Sequence, residues 1–218
     1  MKRCIDVTVA VITLTLVSPL LGVTGIAIRL TEGKPVLYRG VRVGLHGRPF
    51  YMLKFRTMRV QSQSMSEITV SEDPRVTRIG RLLRATKIDE LPQLFNVLRG
   101  DMSLVGPRPE SPYFVRYYTP WQRIVLTVRP GITGPAQIVF RHEERLLTGP
   151  EPEEHYRAIV MPAKLAMDVD YVQHQSLALD LRIIARTLGA LVRPTSDVMA
   201  WAEAAVQCTS MADVRRTP

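Results

Sequence analysis

The sequence is poor in the residues that build metal staples and disulfide frameworks. Its two cysteines, Cys4 and Cys208, lie at opposite ends of the chain with no CxxC or Cys/His spacing, which excludes a disulfide scaffold or a zinc ribbon and leaves two reduced thiols. The four histidines, His46, His142, His155 and His174, recur at no ligand-like interval, so a structural zinc site is not expected. No internal repeat or low-complexity linker interrupts the chain. Acidic residues are scarce where basic ones cluster: none lies between Glu32 and Glu67, or between Asp73 and Asp89.

What is present begins with a long apolar run. No charged residue occurs between Asp6 and Arg29, and VTVAVITLTLVSPLLGVTGIAI is about as long as a membrane-crossing helix requires. A cleavable secretory signal is the alternative, with Lys2 and Arg3 as its basic start and Gly25, Ile26 and Ala27 as a small-x-small site; the run exceeds the roughly 7 to 15 residues of such a signal. Ser18 and Pro19 fall near its midpoint. Proline deletes a backbone donor and clashes with the preceding turn, so a bend is expected, and the serine hydroxyl can take up a freed carbonyl. Lys2 and Arg3 precede the run while Arg29, Lys34, Arg39 and Arg42 follow it. Positive charge at both ends favours the cytoplasm for both, which a dip into one leaflet satisfies.

The remaining chain fits one catalytic unit: 218 residues, 46% hydrophobic, suffice for a single core. The net charge of +9 implies an anionic partner, whether nucleic acid, lipid headgroup or phosphorylated substrate. The apolar anchor argues against nucleic acid, as does the basic block from Pro74 to Ile88, which holds no aromatic on which a base could stack.

PVLYRGVRVG and PFYMLKFRTM flank Leu45, His46, Gly47 and Arg48, which predicts a short hairpin. Arg75, Arg78, Arg81 and Arg84 then recur every third residue with Ile79, Leu82 and Leu83 between them, as on an amphipathic helix. Pro92, QLFNVLR and Gly100 follow the rule of proline inside a helix start and glycine past its end. The prolines of LVGPRPESP make a rigid loop. Further helices are expected over 113–128 with an interruption at Pro120, over 153–173, over 177–192, and in DVMAWAEAAV near the end.

Two features carry candidate chemistry. Lys54 and Arg56 alternate in a strand-like run, which would point both to one face. Asp89 and Glu90 precede Pro92, at a helix start whose free N–H groups and dipole favour anions. Acidic residues at helix starts commonly serve only as caps.

From Lys54 to Arg108 the chain reads KFRTM and DPRVTRIGRLLRATKIDELPQLFNVLRGDMSLVGPRP, then VRPGITG. In this order and length these segments closely resemble the bacterial sugar transferase family, the monotopic polyprenyl phosphate phosphoglycosyltransferases, in its small single-domain branch. The likeness extends to the Ser18-Pro19 segment and to MDVDYVQHQSLALDLRIIARTL. It departs from the commonest pattern after Gly134, where PAQIVFRHEERLL carries Phe140, Arg141, Glu143 and Glu144.

The resemblance implies an α+β fold, mainly helical with a small β-hairpin, an N-terminal re-entrant membrane helix and membrane-surface helices. Residues 1–33 would be the anchor, 34–193 a cytoplasmic catalytic domain at the bacterial inner membrane, and 194–218 a C-terminal helix and tail. By resemblance Asp89 attacks the sugar-linked phosphorus, Glu90 helps hold Mg²⁺, and Ser18 and Pro19 break the membrane helix. Pro107, Arg108 and Pro109 form a nucleotide-sugar loop, and Lys54, Arg56, Arg75 and Arg78 are basic substrate-binding positions. The expected partners are a UDP-sugar, polyprenyl phosphate and membrane lipids, with no nucleic acid; a homodimer is allowed. Displacement of UMP by Asp89, then attack by the lipid phosphate, makes the reaction ping-pong. A membrane scaffold whose basic blocks merely hold anionic lipid is the competing reading.

Overall fold

The computed structural model describes residues 1–60, 68–70, 73–147 and 150–192; the helix expected over 197–206 lies outside them. The architecture is α+β and mainly helical, with a small antiparallel sheet and an apolar N-terminal helix. Helix α1 (Lys2–Thr31) holds Pro19 inside it. Pro19 cannot donate to the Thr15 carbonyl, and Ser18 Oγ donates to that same oxygen at 2.9 Å, so the helix continues through the pair. One stripe of α1, Asp6, Ala10, Leu14, Thr24 and Ile28, is buried. The opposite face leaves Val9, Ile12, Leu16, Val23 and Leu30 exposed, and α1 is long and apolar enough to cross a membrane.

The hairpin forms as the sequence predicts. Strands β1 (Leu37–Val43) and β2 (Pro49–Phe55) pair antiparallel, turned by His46 and Gly47, both at positive φ. Helix α2 (Arg78–Thr86) is capped by Thr77, whose side chain accepts from Gly80 N. It packs so closely on the end of the hairpin strand that a Cβ on Gly80 would lie 2.1 Å from the Thr57 carbonyl oxygen. Only glycine permits that approach. Helix α3 (Gln93–Arg99) follows, with Pro92 before it and Gly100 at φ 93 closing it, as the proline and glycine positions predict.

A second pairing was not visible in the sequence. β3 (Ser103–Val105) and β4 (Gly131–Thr133) run parallel, and Gly106, Gly131 and Gly134 meet backbone to backbone there: a Cβ on Gly131 would lie 2.1 Å from Gly106 N. The Pro107–Pro109 loop leaves from this junction. The helix expected over 113–128 is instead α4 (Pro112–Val115) and a 3-10 segment, Gln122–Thr127. Thr119 and Gln122 bond each other's backbone N–H reciprocally, which starts a new helical segment after Pro120. After α5 (Pro135–Val139), the helix expected over 153–173 is α6 (Pro152–His155), a π segment Tyr156–Val160 and α7 (Met161–His174). Pro162 cannot donate to the carbonyl four residues back, and the turn before it widens. Helix α8 (Leu177–Val192) has its expected bounds.

The main core gathers Phe114, Tyr118, Val125, Phe140, Tyr156, Val160 and Leu165. A second cluster joins Ala10 and Leu14 of α1 to Met52, Leu94, Val97 and Met102, so the apolar helix is packed onto the body through β2 and α3.

Candidate active site

Asp89 and Glu90 lie in a 3-10 turn, Ile88–Glu90, between α2 and α3, and not at the start of α3 itself. The chain enters this turn through Lys87 at φ 59, a left-handed conformation that costs a lysine about 1 kcal/mol. Neighbouring side chains in such a turn leave at about 120° to each other, so the two carboxylates have different surroundings.

Glu90 is compensated on both oxygens. Its Oε1 receives Lys54 Nζ at 3.1 Å and lies 3.5 Å from an Arg108 guanidinium nitrogen, and its Oε2 accepts from Gln93 Nε2 at 3.3 Å. Burial works to raise its pKa, but Lys54, Arg108 and Lys87 together outweigh burial and hold the carboxyl well below the usual range. Asp89 is 6% exposed, and its Oδ1 is buried without a hydrogen-bond partner among the described residues. Burial, helped by the Glu90 charge, pushes Asp89 up, while Lys54, Lys87 and Arg84 pull the other way. Lys54 itself is pushed down by burial, with Arg108 adding to that and Glu90 opposing it.

Both carboxylates line a cleft of about 1270 Å³, together with Lys54, Arg108 and Pro109. Of the other basic positions, Arg56 and Arg75 also border this cleft but are engaged elsewhere, and Arg78 does not reach it. Lys54 reaches the site from β2, but Arg56, just past that strand, turns to the Glu32 and Gly33 carbonyls at 2.6 and 3.2 Å, so the two do not serve one face as expected. Arg56 borders the cleft while bracing the end of α1. Arg75 grips Asp73 through both oxygens and donates to the Ile68 carbonyl. Arg78 is exposed and does not border the cleft. Pro107 faces a small void behind its loop beside Tyr118 and Val125, and its carbonyl accepts from Gly131 N.

Two residues that shape the site escaped the sequence reading. Asp168 on α7, 2% exposed, accepts from Arg108 N at 3.3 Å and so holds the proline-flanked loop. Burial pushes its carboxyl up to about 7 against the pull of Lys164. Asn96 on α3, fully buried, accepts from Leu53 N and donates to the Tyr51 carbonyl at 2.9 and 2.8 Å; it completes the open edge of β2 next to Lys54. A charged or amide residue on the apolar stripe of a helix was the available signal in both cases.

Cations that converge on one carboxylate beside a second whose Oδ1 has no hydrogen-bond donor suit the handling of phosphate, where repulsion between nucleophile and substrate must be cancelled first. The class is therefore a group-transfer enzyme acting on phosphorylated compounds. Comparison with known proteins narrows it: residues 1–194 match the model of the bacterial sugar transferase family, and the chain belongs to that family as a sugar-phosphate transferase. It is 44% identical over 195 residues to the UDP-glucose:undecaprenyl-phosphate glucose-1-phosphate transferase of Caulobacter vibrioides, covering 88% of this chain and 69% of that protein. It is 42% identical over 188 residues to the uncharacterized sugar transferase EpsL of Bacillus subtilis, covering 86% and 85%. A UDP-N-acetylgalactosamine-undecaprenyl-phosphate N-acetylgalactosaminephosphotransferase of Aeromonas hydrophila is 38% identical over 195 residues, and the chain spans 43% of its length.

Proposed function

We propose that this protein transfers a sugar phosphate from a UDP-sugar to polyprenyl phosphate, undecaprenyl phosphate in bacteria, releasing UMP, through a covalent intermediate on Asp89. The reaction opens a surface glycan or glycoconjugate pathway. The observation that carries this is the unequal pair: Glu90 fixed and ionised by Lys54 and Arg108, Asp89 buried with a free oxygen at the same cleft. Asp89 attacks the phosphorus that bears the sugar; the bond to the UMP oxygen breaks and UMP leaves with the electron pair. The polyprenyl phosphate oxygen then attacks the same phosphorus and releases the carboxylate. Arg108 and Lys54 cancel phosphate charge during both steps.

Magnesium fits this site in the manner usual for that ion. Among the described residues no group of three or more His, Cys, Asp or Glu could form an all-protein cage, but Mg²⁺ needs only one or two carboxylates beside waters and phosphate oxygens. Glu90, kept ionised by Lys54 and Arg108, would hold it and leave Asp89 Oδ1 free for attack. When bound, it supplies further neutralisation of the pyrophosphate.

The membrane placement belongs to the same reading, with α1 re-entrant and the catalytic body on the cytoplasmic face of the inner membrane among its lipids. Both ends of α1 are tied to one body, which supports it. Arg3 donates to the Val97 and Leu98 carbonyls near the start, and Arg56 to those of Glu32 and Gly33 past the end. A straight helix of this length, about 45 Å, would carry one end across the hydrocarbon core and away from the body.

The deciding experiment is exchange of labelled UMP into UDP-glucose or UDP-N-acetylgalactosamine by detergent-solubilised protein with no lipid acceptor. Exchange is expected with whichever sugar is the donor, and Asp89→Asn should abolish it. Turnover with polyprenyl phosphate but no exchange in its absence would refute the covalent step.

A further inference from the structure

Beyond Arg108 the cleft continues to a second cluster of charges that the transfer step does not use. Lys164 on α7 is 4% exposed. Its ammonium donates to Glu143 Oε2 at 2.7 Å, Tyr156 Oη at 2.9 Å and Glu110 Oε1 at 3.3 Å. Three donors meet three acceptors, so the lysine has no hydrogen left for a ligand. Tyr156 Oη in turn donates to Glu110 Oε1, and the π segment preceding α7 brings this tyrosine against the lysine.

Glu143 differs from the other members. One of its oxygens is fixed by Lys164, the other has no partner among the described residues, its side chain is about one-third exposed (31%), and it borders the cleft. Arg108 links this cluster to the dyad: burial opposes its charge, and Glu90, Glu143 and Glu110 together restore it. A buried ammonium between two carboxylates is a costly arrangement if it only holds the fold together, because apolar residues would pack there at no desolvation cost.

We propose that Glu143 is a specificity-determining residue whose free carboxylate oxygen accepts hydroxyl hydrogens from a sugar ring of the donor nucleotide, with Lys164 as its positioning residue. This rests on the transferase reading above, in which Arg108 takes the phosphates. A carboxylate held at one oxygen presents the other in a fixed direction, which suits paired ring hydroxyls. The recognised diol belongs either to the transferred sugar or to the ribose, and the two sources are separable by experiment.

The test uses the full-length protein in detergent with Asp89→Asn, which binds without turnover, and measures equilibrium binding of UDP-glucose, UDP-N-acetylgalactosamine and UMP with Mg²⁺. Adding Glu143→Ala leaves Lys164 with Glu110 and Tyr156, an intact ion pair, so the fold is retained. The expected result is about tenfold to hundredfold weaker binding of the preferred UDP-sugar, the range for a hydrogen bond to a charged group. Unchanged UMP binding assigns the diol to the transferred sugar, and an equal loss for UMP assigns it to the ribose. Lys164→Met should weaken binding in the Asp89→Asn protein and add nothing once Glu143 is alanine, which a purely structural role would not produce. Unchanged binding of all three ligands in folded Glu143→Ala protein overturns the proposal. Failure of the Asp89→Asn protein itself to bind any of them would instead refute the transferase reading.

Discussion

Asn96→Ala tests whether a side chain, and not another strand, holds the active-site face of the hairpin in place. Asn96 Oδ1 accepts from Leu53 N, and its Nδ2 donates to the Tyr51 carbonyl and to Asp101 Oδ2 at 3.2 Å. Leu53 is 6% exposed, so its N–H would be left buried and unpaired, at about 1–3 kcal/mol. The Tyr51 carbonyl belongs to a residue that is 61% exposed, and water can replace the amide there. Vacating a site of 0% exposure adds about 1 kcal/mol. The sum is about 3 kcal/mol, or about 6–12 °C in Tm for a chain of this size, read by thermal unfolding of the detergent-solubilised protein from tryptophan fluorescence and circular dichroism. Asn96→Asp keeps the acceptor for Leu53 but turns a second oxygen toward the Tyr51 carbonyl and Asp101, so it should lose about as much. Because Lys54 follows Leu53 on β2, turnover should fall in both. A shift below about 2 °C for Asn96→Ala would refute the argument.

Lys54→Met removes the cation that most opposes the upward shift of Asp89, so the acid limb of the pH–rate profile should move to higher pH; an unmoved limb would dissociate Lys54 from Asp89. Arg108→Ala should raise the KM for UDP-sugar at least tenfold with Tm little changed, whereas a lowered Tm with unchanged KM would make the arginine structural. Asp168, raised to about 7, holds a proton in the folded state that the unfolded chain releases near pH 4. Stability should therefore fall as pH rises from about 4 to 7 and level off above, and Asp168→Asn should abolish that slope in denaturation measured across the range. Glu90→Gln should raise the Mg²⁺ requirement for turnover; an unchanged metal titration would remove Glu90 from the ion.

Elements with strong local signals were legible in the sequence. The apolar run, the hairpin around His46 and Gly47, and the helix between Pro92 and Gly100 each follow from chain stiffness or hydrophobic period, which act over a few residues. The β3–β4 pairing was not, because strands of three residues have no period to read and their partners lie 28 positions apart, as Ser103 and Gly131 do. Charge density marked two basic blocks but could not assign individual arginines. Arg56 and Arg75 look equivalent to Lys54 in sequence, yet their partners are the Glu32 and Gly33 carbonyls and Asp73, which only the fold brings near. Lys164 and Asp168 stand one helical turn apart inside an apolar helix, and their burial followed from no motif.

The order of the two acids has a physical reason. A carboxylate that accepts hydrogen bonds from cations is a good anchor and a poor nucleophile, because its lone pairs are already engaged; one with a free, desolvated oxygen is the reverse. Had Asp89 and Glu90 both faced Lys54 and Arg108, neither would be reactive, and had neither done so, mutual repulsion would protonate one of them. The left-handed turn at Lys87 and the 3-10 geometry after it point consecutive side chains apart, so that Glu90 meets the cations while Asp89 points where Oδ1 has no donor. The longer side chain reaches across to Lys54 and Arg108; the shorter one, with one fewer rotatable bond, stays fixed with its Oδ1 free, as the proposed attack would require. Exchanging the residues, Asp89→Glu with Glu90→Asp, should therefore lose activity although both carboxylates remain, since the short acid would fall shy of its cations and the long one would no longer be held. Retention of more than about a tenth of the parent kcat in that double variant would show that composition, and not placement, makes the pair work.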